Sequence, residues 1–260
     1  MAALAALLQT HGHCQAFGTA DAKSPAFEVA SVTPCPPGTP PPPYEHAGIA
    51  QFTYPGGRFT ARTTTVKFLL EWAYDILPAQ HSSGPGWMST DRYDIIAKAP
   101  GNATDEEMKS MARTLLADRF QLRFHREPRE MSVIVLSVGK TAPKLFPPKA
   151  GETHGIDVKP LAGTDEKTTS YRVVASRFSL AQLLQVFGRQ LDRVIVDETG
   201  LHGDFDFTMD LTPDESHANP LDPSLMLDAL RKQLGFNVTS RKDQVDFFAI
   251  DSVEKVTAGN

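Results

Sequence analysis

Cysteine is nearly missing from this chain: Cys14 and Cys35 are the only two in 260 residues. A protein of this length with so few does not depend on disulfides. The two residues lie in loop-like sequence, and an oxidising compartment is where they would pair. No CxxC spacing is present, which argues against a zinc site. Long apolar runs are also missing. No segment approaches the roughly 20 residues that a membrane-spanning helix needs, so no membrane span is expected. A basic excess is missing too: Lys and Arg number 26 against 31 Asp and Glu, for a net charge of -5. Nucleic-acid binding needs a clustered Lys/Arg field. The densest basic run here, Arg113, Arg119, Arg123, Arg126 and Arg129, is interrupted by Glu127 and followed by Glu130, and reads as a solvated face. Nucleic acid is therefore not expected as a partner. Finally, there is no G-x-S-x-G elbow, no S-x-x-K motif at a helix start and no Gly-rich phosphate loop. A Ser-His-Asp triad needs no local motif, so these absences remove only the motif-bearing enzyme classes.

What is present describes an ordinary globular chain, 41% hydrophobic and 22% charged. Its length suits one large or two small domains. Residues 1–26 open with an apolar run, Ala2 to Leu8, followed by polar residues and Cys14-Gln15-Ala16. This resembles the end of a secretory signal without its basic start. The segment reads as a signal-peptide remnant or a disordered N-terminus, and the first reading predicts an exported protein, periplasmic or extracellular.

Two periodicities alternate after that. Phe27 to Val32, Arg58 to Arg62, Arg92 to Ala97, Phe120 to Arg126 and Met131 to Val138 read as strands, the last two joined around Pro128. Pro34 to Pro43 is too proline-rich for helix or sheet. Val66, Leu69, Leu70, Ala73 and Leu77 form a helical stripe, with Thr64 or Thr65 as cap and Pro78 as stop. Thr104 and Glu107 form a capping box for a helix to about Asp118. Ser83 to Trp87 reads as a tight loop. The stretch from Gly139 to Thr169 shows no period. The pattern then resumes: strand Tyr171 to Ala175, capping box Ser179/Gln182, strand Arg193 to Asp197, turn Thr199 to Gly203, strand Asp204 to Leu211, a helix from Asp222-Pro223 to Gly235, and strands Phe236 to Ser240 and Val245 to Val253.

The two passages superimpose. The stripe Val66, Leu69, Leu70, Ala73, Leu77 maps onto Leu180, Leu183, Leu184, Phe187, Leu191 without a gap, and Tyr93-Asp94-Ile95 maps onto Phe205-Asp206-Phe207. Only two copies exist, so a solenoid is excluded. The expected fold is α+β and internally duplicated: strand-helix-strand-strand-helix-strand-strand units, largely antiparallel, with helices packed on one face. The expected divisions are residues 27–145 as the first repeat half, 146–169 as a linker or long loop, and 170–256 as the second half.

Several short stretches are also motif-like: Phe27 to Val32 (FEVASV), Gly57 to Ala61 (GRFTA), Gly84 to Trp87 with Asp91 to Lys98 (GPGW, DRYDIIAK), Ala117 to Glu127 (ADRFQLRFHRE), Val196 to Gly203 (VDETGLHG), Phe205 to Thr208 (FDFT), Gly235, Arg241-Lys242 and Val245-Asp246. Through them the chain resembles the uncharacterised "soil-associated" protein family abundant in Acidobacteria, from about Phe27 to Val256. The resemblance implies mostly exported or surface proteins. It also implies a domain found attached to membrane sensor metallopeptidases of the beta-lactam-sensor type. The long proline loop after Val32 departs from that pattern, and His202 falls where variation is expected.

The chemistry on offer is sparse. Asp204, Asp206 and Asp210 share one strand face, and three carboxylates on a face suit a hard cation such as calcium. The alternative is a polar outer face opposite Phe205, Phe207 and Met209. His202 lies beside Asp204 and Asp206 and is a candidate general base or metal ligand, and His202 and Asp206 are the candidate catalytic residues. Trp87, in its Gly-Pro-Gly loop, and His125, between arginines, are candidate ligand contacts. The leading expectation is an exported binding or sensing module for a small-molecule ligand or an envelope protein. The alternative is a small-ester or lactone hydrolase acting on acyl-lactone signals, with calcium as its candidate cofactor.

Overall fold

The computed structural model describes residues 25–41, 52, 54–151, 153–161, 170–213 and 222–257. Cys14 and the signal-like run therefore lie outside the described residues. Nine strands and five α-helices are assigned within the described part. The first half carries β1 (Val29–Pro34), β2 (Arg58–Thr65), α1 (Val66–Ala73), α2 (Trp87–Thr90), β3 (Arg92–Lys98), α3 (Asp105–Arg119) and β4 (Arg123–Val138). The second half carries β5 (Gly155–Pro160), β6 (Tyr171–Ser179), α4 (Leu180–Leu191), β7 (Ile195–Glu198), β8 (Asp204–Leu211), α5 (Pro223–Asp228), a π-helical turn at Ala229–Gln233, and β9 (Phe236–Ser252). The fold is α+β, and the sheets are antiparallel except where β7 joins β4 in parallel.

Each half has its own sheet and core. The sheet β1-β3-β2 is covered by α1 and α3, with Phe59, Ala61, Tyr93 and Ile95 meeting Leu69, Leu70, Met108 and Leu116. The sheet β5-β6-β8 meets α4 and α5 through Val173, Ala175, Phe207, Met209, Leu183, Phe187 and Met226. Helices start where side chains can satisfy the free amides of the first turn. Thr65 accepts from the Phe68 amide at 3.1 Å. Thr104 and Glu107, and likewise Ser179 and Gln182, form reciprocal capping boxes.

A matching bulge precedes α1 and α4. The β2–β3 register shifts between Ala61 and Thr64, and the β6–β8 register shifts between Ala175 and Phe178. Thr63 and Arg177 take left-handed backbone there, at φ 47° and 49°. That conformation is costly for a side-chain-bearing residue. A carboxylate on the neighbouring strand holds each in place: Asp94 Oδ1 accepts from the Thr63 amide at 2.8 Å, and Asp206 Oδ1 accepts from the Arg177 amide at 2.9 Å.

Five features differ from the sequence expectation. The helix α1 ends at Ala73, before Pro78, because Asp75 turns left-handed (φ 52°) and the Ile76 amide returns to the Glu71 carbonyl. The Ser83 to Trp87 loop runs into the short helix α2. A strand, β5, lies inside the stretch expected to be a linker. The two strands expected on either side of Pro128 are one, as are the two at the C-terminus. Together β4 and β9 make an antiparallel ribbon in which Pro128 faces Asp246. Strand β7 reaches only Ile134 to Ser137, so Pro128 has a strand neighbour on one side only, where a missing N–H is tolerated.

The halves meet at a buried ionic cluster. Glu71 on α1 is 3% exposed. Arg189 Nη1 on α4 donates to its Oε2 at 2.7 Å, and His81 Nε2 lies 3.1 Å from its Oε1. His81 Nδ1 stands 2.8 Å from the Ser82 carbonyl, which can only accept. Nearby, Gly188 leaves no room for a Cβ, which would stand 2.7 Å from Leu77 Cδ1 and 3.1 Å from the Arg193 carbonyl oxygen. Removing one partner of a buried ion pair strands the other charge. Arg189→Ala should lower unfolding free energy in urea by about 3 kcal/mol; a loss below about 1 kcal/mol would show that the cluster contributes no more than a surface ion pair.

Candidate functional site

The largest opening among the described cavities is a groove of about 650 Å³ between the halves. Its walls are α1 and α4, closed at one end by the start of β5 and by Lys109 of α3. The walls are apolar: Phe68 and Trp72 from α1, and Ala181 and Val186 from α4, with Phe178 and Ile156 beside them. These residues are available because each helix buries one stripe in its own core and leaves its flank to the gap. Trp72 is fixed by an edge contact with Phe52, ring centroids 4.7 Å apart, and His154 stacks on Phe178 at 5.4 Å.

The polar groups of the groove bond mostly to each other. His154 Nε2 lies 3.1 Å from Gln182 Oε1, and Gln185 Nε2 donates to the Asp75 carbonyl at 3.0 Å. The Lys109 ammonium sits 2.7 Å from Asp75 and 3.0 Å from Asp105. Burial pulls Lys109 down, but the hydrogen bonds to the two carboxylates outweigh it and leave the lysine above its ordinary value. For Asp105 burial pushes upward, and bonds from Tyr54 and Lys109 hold it below the usual carboxylate range. Arg189 reaches the groove while bound to Glu71, with its guanidinium 5.6 Å from the Phe68 ring centroid.

None of the residues singled out from the sequence lines this groove. Trp87 is half-buried at the start of α2, packed on the first core, with Lys255 Nζ 5.6 Å from its ring centroid. His125 is exposed on the ribbon, its Nδ1 2.8 Å from Asp251 Oδ1. His202 is exposed in the turn before β8. The three β8 acids differ in their surroundings. Asp204 is exposed at the strand start. Asp206 is 7% exposed and uses both oxygens on backbone amides, Arg177 at 2.9 Å and Lys149 at 3.0 Å. Asp210 is held in a two-point pair by Arg172 at 2.7 and 2.8 Å. Among the described residues no group of three His, Cys, Asp or Glu side chains gathers as a metal site.

A second cavity of about 430 Å³ lies under the Pro34 to Thr39 loop and includes Cys35. The Cys35 thiol stands 3.8 Å from Asp94, and burial followed by that carboxylate pushes its pKa up, away from thiolate reactivity. No sequence signal joined the groove residues Phe68, Trp72, His154 and Phe178, because the elements that bring them together are far apart in the chain. Phe68, Trp72 and Val186, apolar residues off the main stripes of α1 and α4, were the available hint.

The amide of Arg177, then that of Lys149, holds Asp206 below the ordinary Asp value of 3.8. A depressed carboxylate stabilises fully above its unfolded value and loses that effect as pH falls through its folded value. Asp206→Asn should therefore be less stable than the parent at pH 7, with the gap closing as pH falls below about 4. Urea midpoints measured across pH check this; a gap independent of pH would remove the carboxylate from the account.

No curated protein and no solved structure matches the chain. One family model does, over residues 67–253, and that span runs from within α1 to the end of β9 and includes the ionic cluster and both walls of the groove. The chain belongs to that family, described as a protein of unknown function, DUF3738.

Proposed function

We propose that the domain is a binding module whose small-molecule ligand lies in the groove between α1 and α4. The observation that carries this reading is the groove itself, a gap of about 650 Å³ with aromatic walls and a few hydrogen-bonding groups. Small-molecule sites have that make-up. The ionic cluster supports it by setting the distance between the walls before any ligand arrives, which lowers the ordering cost of binding. Export is part of the proposal, and it rests on the run Ala2 to Leu8 and on the resemblance to the soil-associated family. A sensing role rests on that resemblance alone.

We also infer that the two halves derive from one duplicated unit. The supports are the stripe shared between α1 and α4, and the paired bulges at Thr63 and Arg177, each held by an aspartate of the neighbouring strand. A groove between two such copies is a natural place for a ligand, since each copy leaves one helix flank uncovered.

Nile red, a neutral apolar dye that brightens on burial, tests the binding reading. The parent protein should bind it saturably. Ala181 is exposed on the groove wall, so Ala181→Trp should fill the gap and weaken binding at least about tenfold. Its thermal midpoint should stay within about 2 °C, as for a surface substitution. Absence of binding to the parent, or equal binding by the variant, would sink the proposal.

A further inference from the structure

We infer that the groove takes an uncharged amphipathic molecule, with its apolar body against Phe68, Trp72 and Phe178 and a neutral amide-like head between Gln182 and Gln185. The inference rests on the groove being the binding site and adds the chemical class of its occupant. It follows from which polar atoms already have partners. Both cations of the lining are paired within the protein: Lys109 with Asp75 and Asp105, and Arg189 with Glu71. The one carboxylate of the lining, Asp75, is the partner of that lysine. A charged head group entering between apolar walls would be desolvated with no countercharge to meet it, which is strongly unfavourable. Breaking an existing pair to receive it would only move the problem to the partner left behind.

The neutral groups behave differently. Gln182 Oε1 accepts from the Ser179 amide, the Ser179 hydroxyl and His154 Nε2. Its NH₂ bonds to nothing else among the described residues and remains a donor. Gln185 has the opposite arrangement: its Nε2 donates to the Asp75 carbonyl, and its Oε1 has no partner among the described residues and remains an acceptor. Three residues apart on α4, the two side chains lie on the same helix face. A donor and an acceptor side by side match a group that offers an acceptor and a donor side by side. A primary or secondary amide does this without charge, and so does a hydroxyl next to a carbonyl.

Three C8 compounds that differ in head group test the idea: octanamide, octanoate and octylammonium, each competing with bound Nile red at pH 7. Octanamide should displace the dye at a concentration about tenfold or more below either ion. Gln185→Leu should reduce that advantage to about threefold or less, each compound being compared against dye bound to the same variant. If octanoate or octylammonium competes as well as octanamide while the dye binds and Ala181→Trp blocks it, the neutral-head inference falls and the groove reading survives. If the parent binds no dye, both fall together.

Discussion

Strands β4 and β9 pair antiparallel from Phe124 opposite Ile250 to Val138 opposite Phe236, and the two cores hang from opposite ends of this ribbon. Near one end Phe248 enters the first core with Phe124 and Ile250 against it. At the other end Ile134, Leu136, Phe236 and Val238 complete the second. Each strand closes one half of the chain, so the last strand of each half is paired with its counterpart from the other. Neither half can present its core to the ribbon alone, because every ribbon residue inside a core depends on the partner strand for its backbone bonds. Around Pro128 the ribbon is two-stranded: Pro128 and Asp246 are exposed, while Val245 and Phe247 beside them are buried, and Arg126 stacks on Phe248 and Arg129 on Phe247. Val133, Val135 and Val245 form a small core of their own with Met131, Val194 and Val196 against it.

The ribbon also explains what sequence reasoning could and could not read. Local patterns were legible. The stripe of α4, that of α1 as far as Ala73, the alternation Tyr93, Ile95, Ala97 on β3 and the capping boxes at Thr104 and Ser179 form as their spacing implies. Each depends on neighbours within about four residues. The ribbon was read as four short strands because Pro128 and the polar stretch from Arg241 to Gln244 look like turns. Pro128 is exposed and has one strand neighbour, and most residues from Arg241 to Gln244 are exposed, so neither the proline nor the run of charges breaks the pairing. The strand β5 was missed for a related reason: it is a sheet edge, and its exposed residues show little alternation.

The acids of β8 make the same point about function. Period-two spacing predicts one shared face for them. Spacing does not reveal what each carboxylate meets. Asp206 holds a left-handed residue three positions before the first residue of a helix; Asp94 does the same in the other half, and neither role shows in a count of acids. A cluster of aspartates on a strand can be a metal site or part of the backbone's own bonding. The two are told apart by whether the oxygens point to one centre, and here they do not.

The groove follows from how the halves are joined at the helices. The approach of α1 and α4 is set at one end, where Gly188 admits Leu77 and where Arg189 reaches Glu71. Elsewhere each helix is packed into its own core. Phe68 and Trp72 on one, and Ala181 and Val186 on the other, therefore face each other across space instead of interlocking. A purely apolar contact at that end could slide or repack, since cores tolerate rearrangement of volume-matched side chains. The buried charge cluster cannot, because any displacement leaves Glu71 or Arg189 without its partner in a dry place. The same cluster thus joins the halves, fixes the width of the gap and removes Arg189 as a free charge from its lining. The gap between two tightly packed cores is left apolar, neutral and preformed.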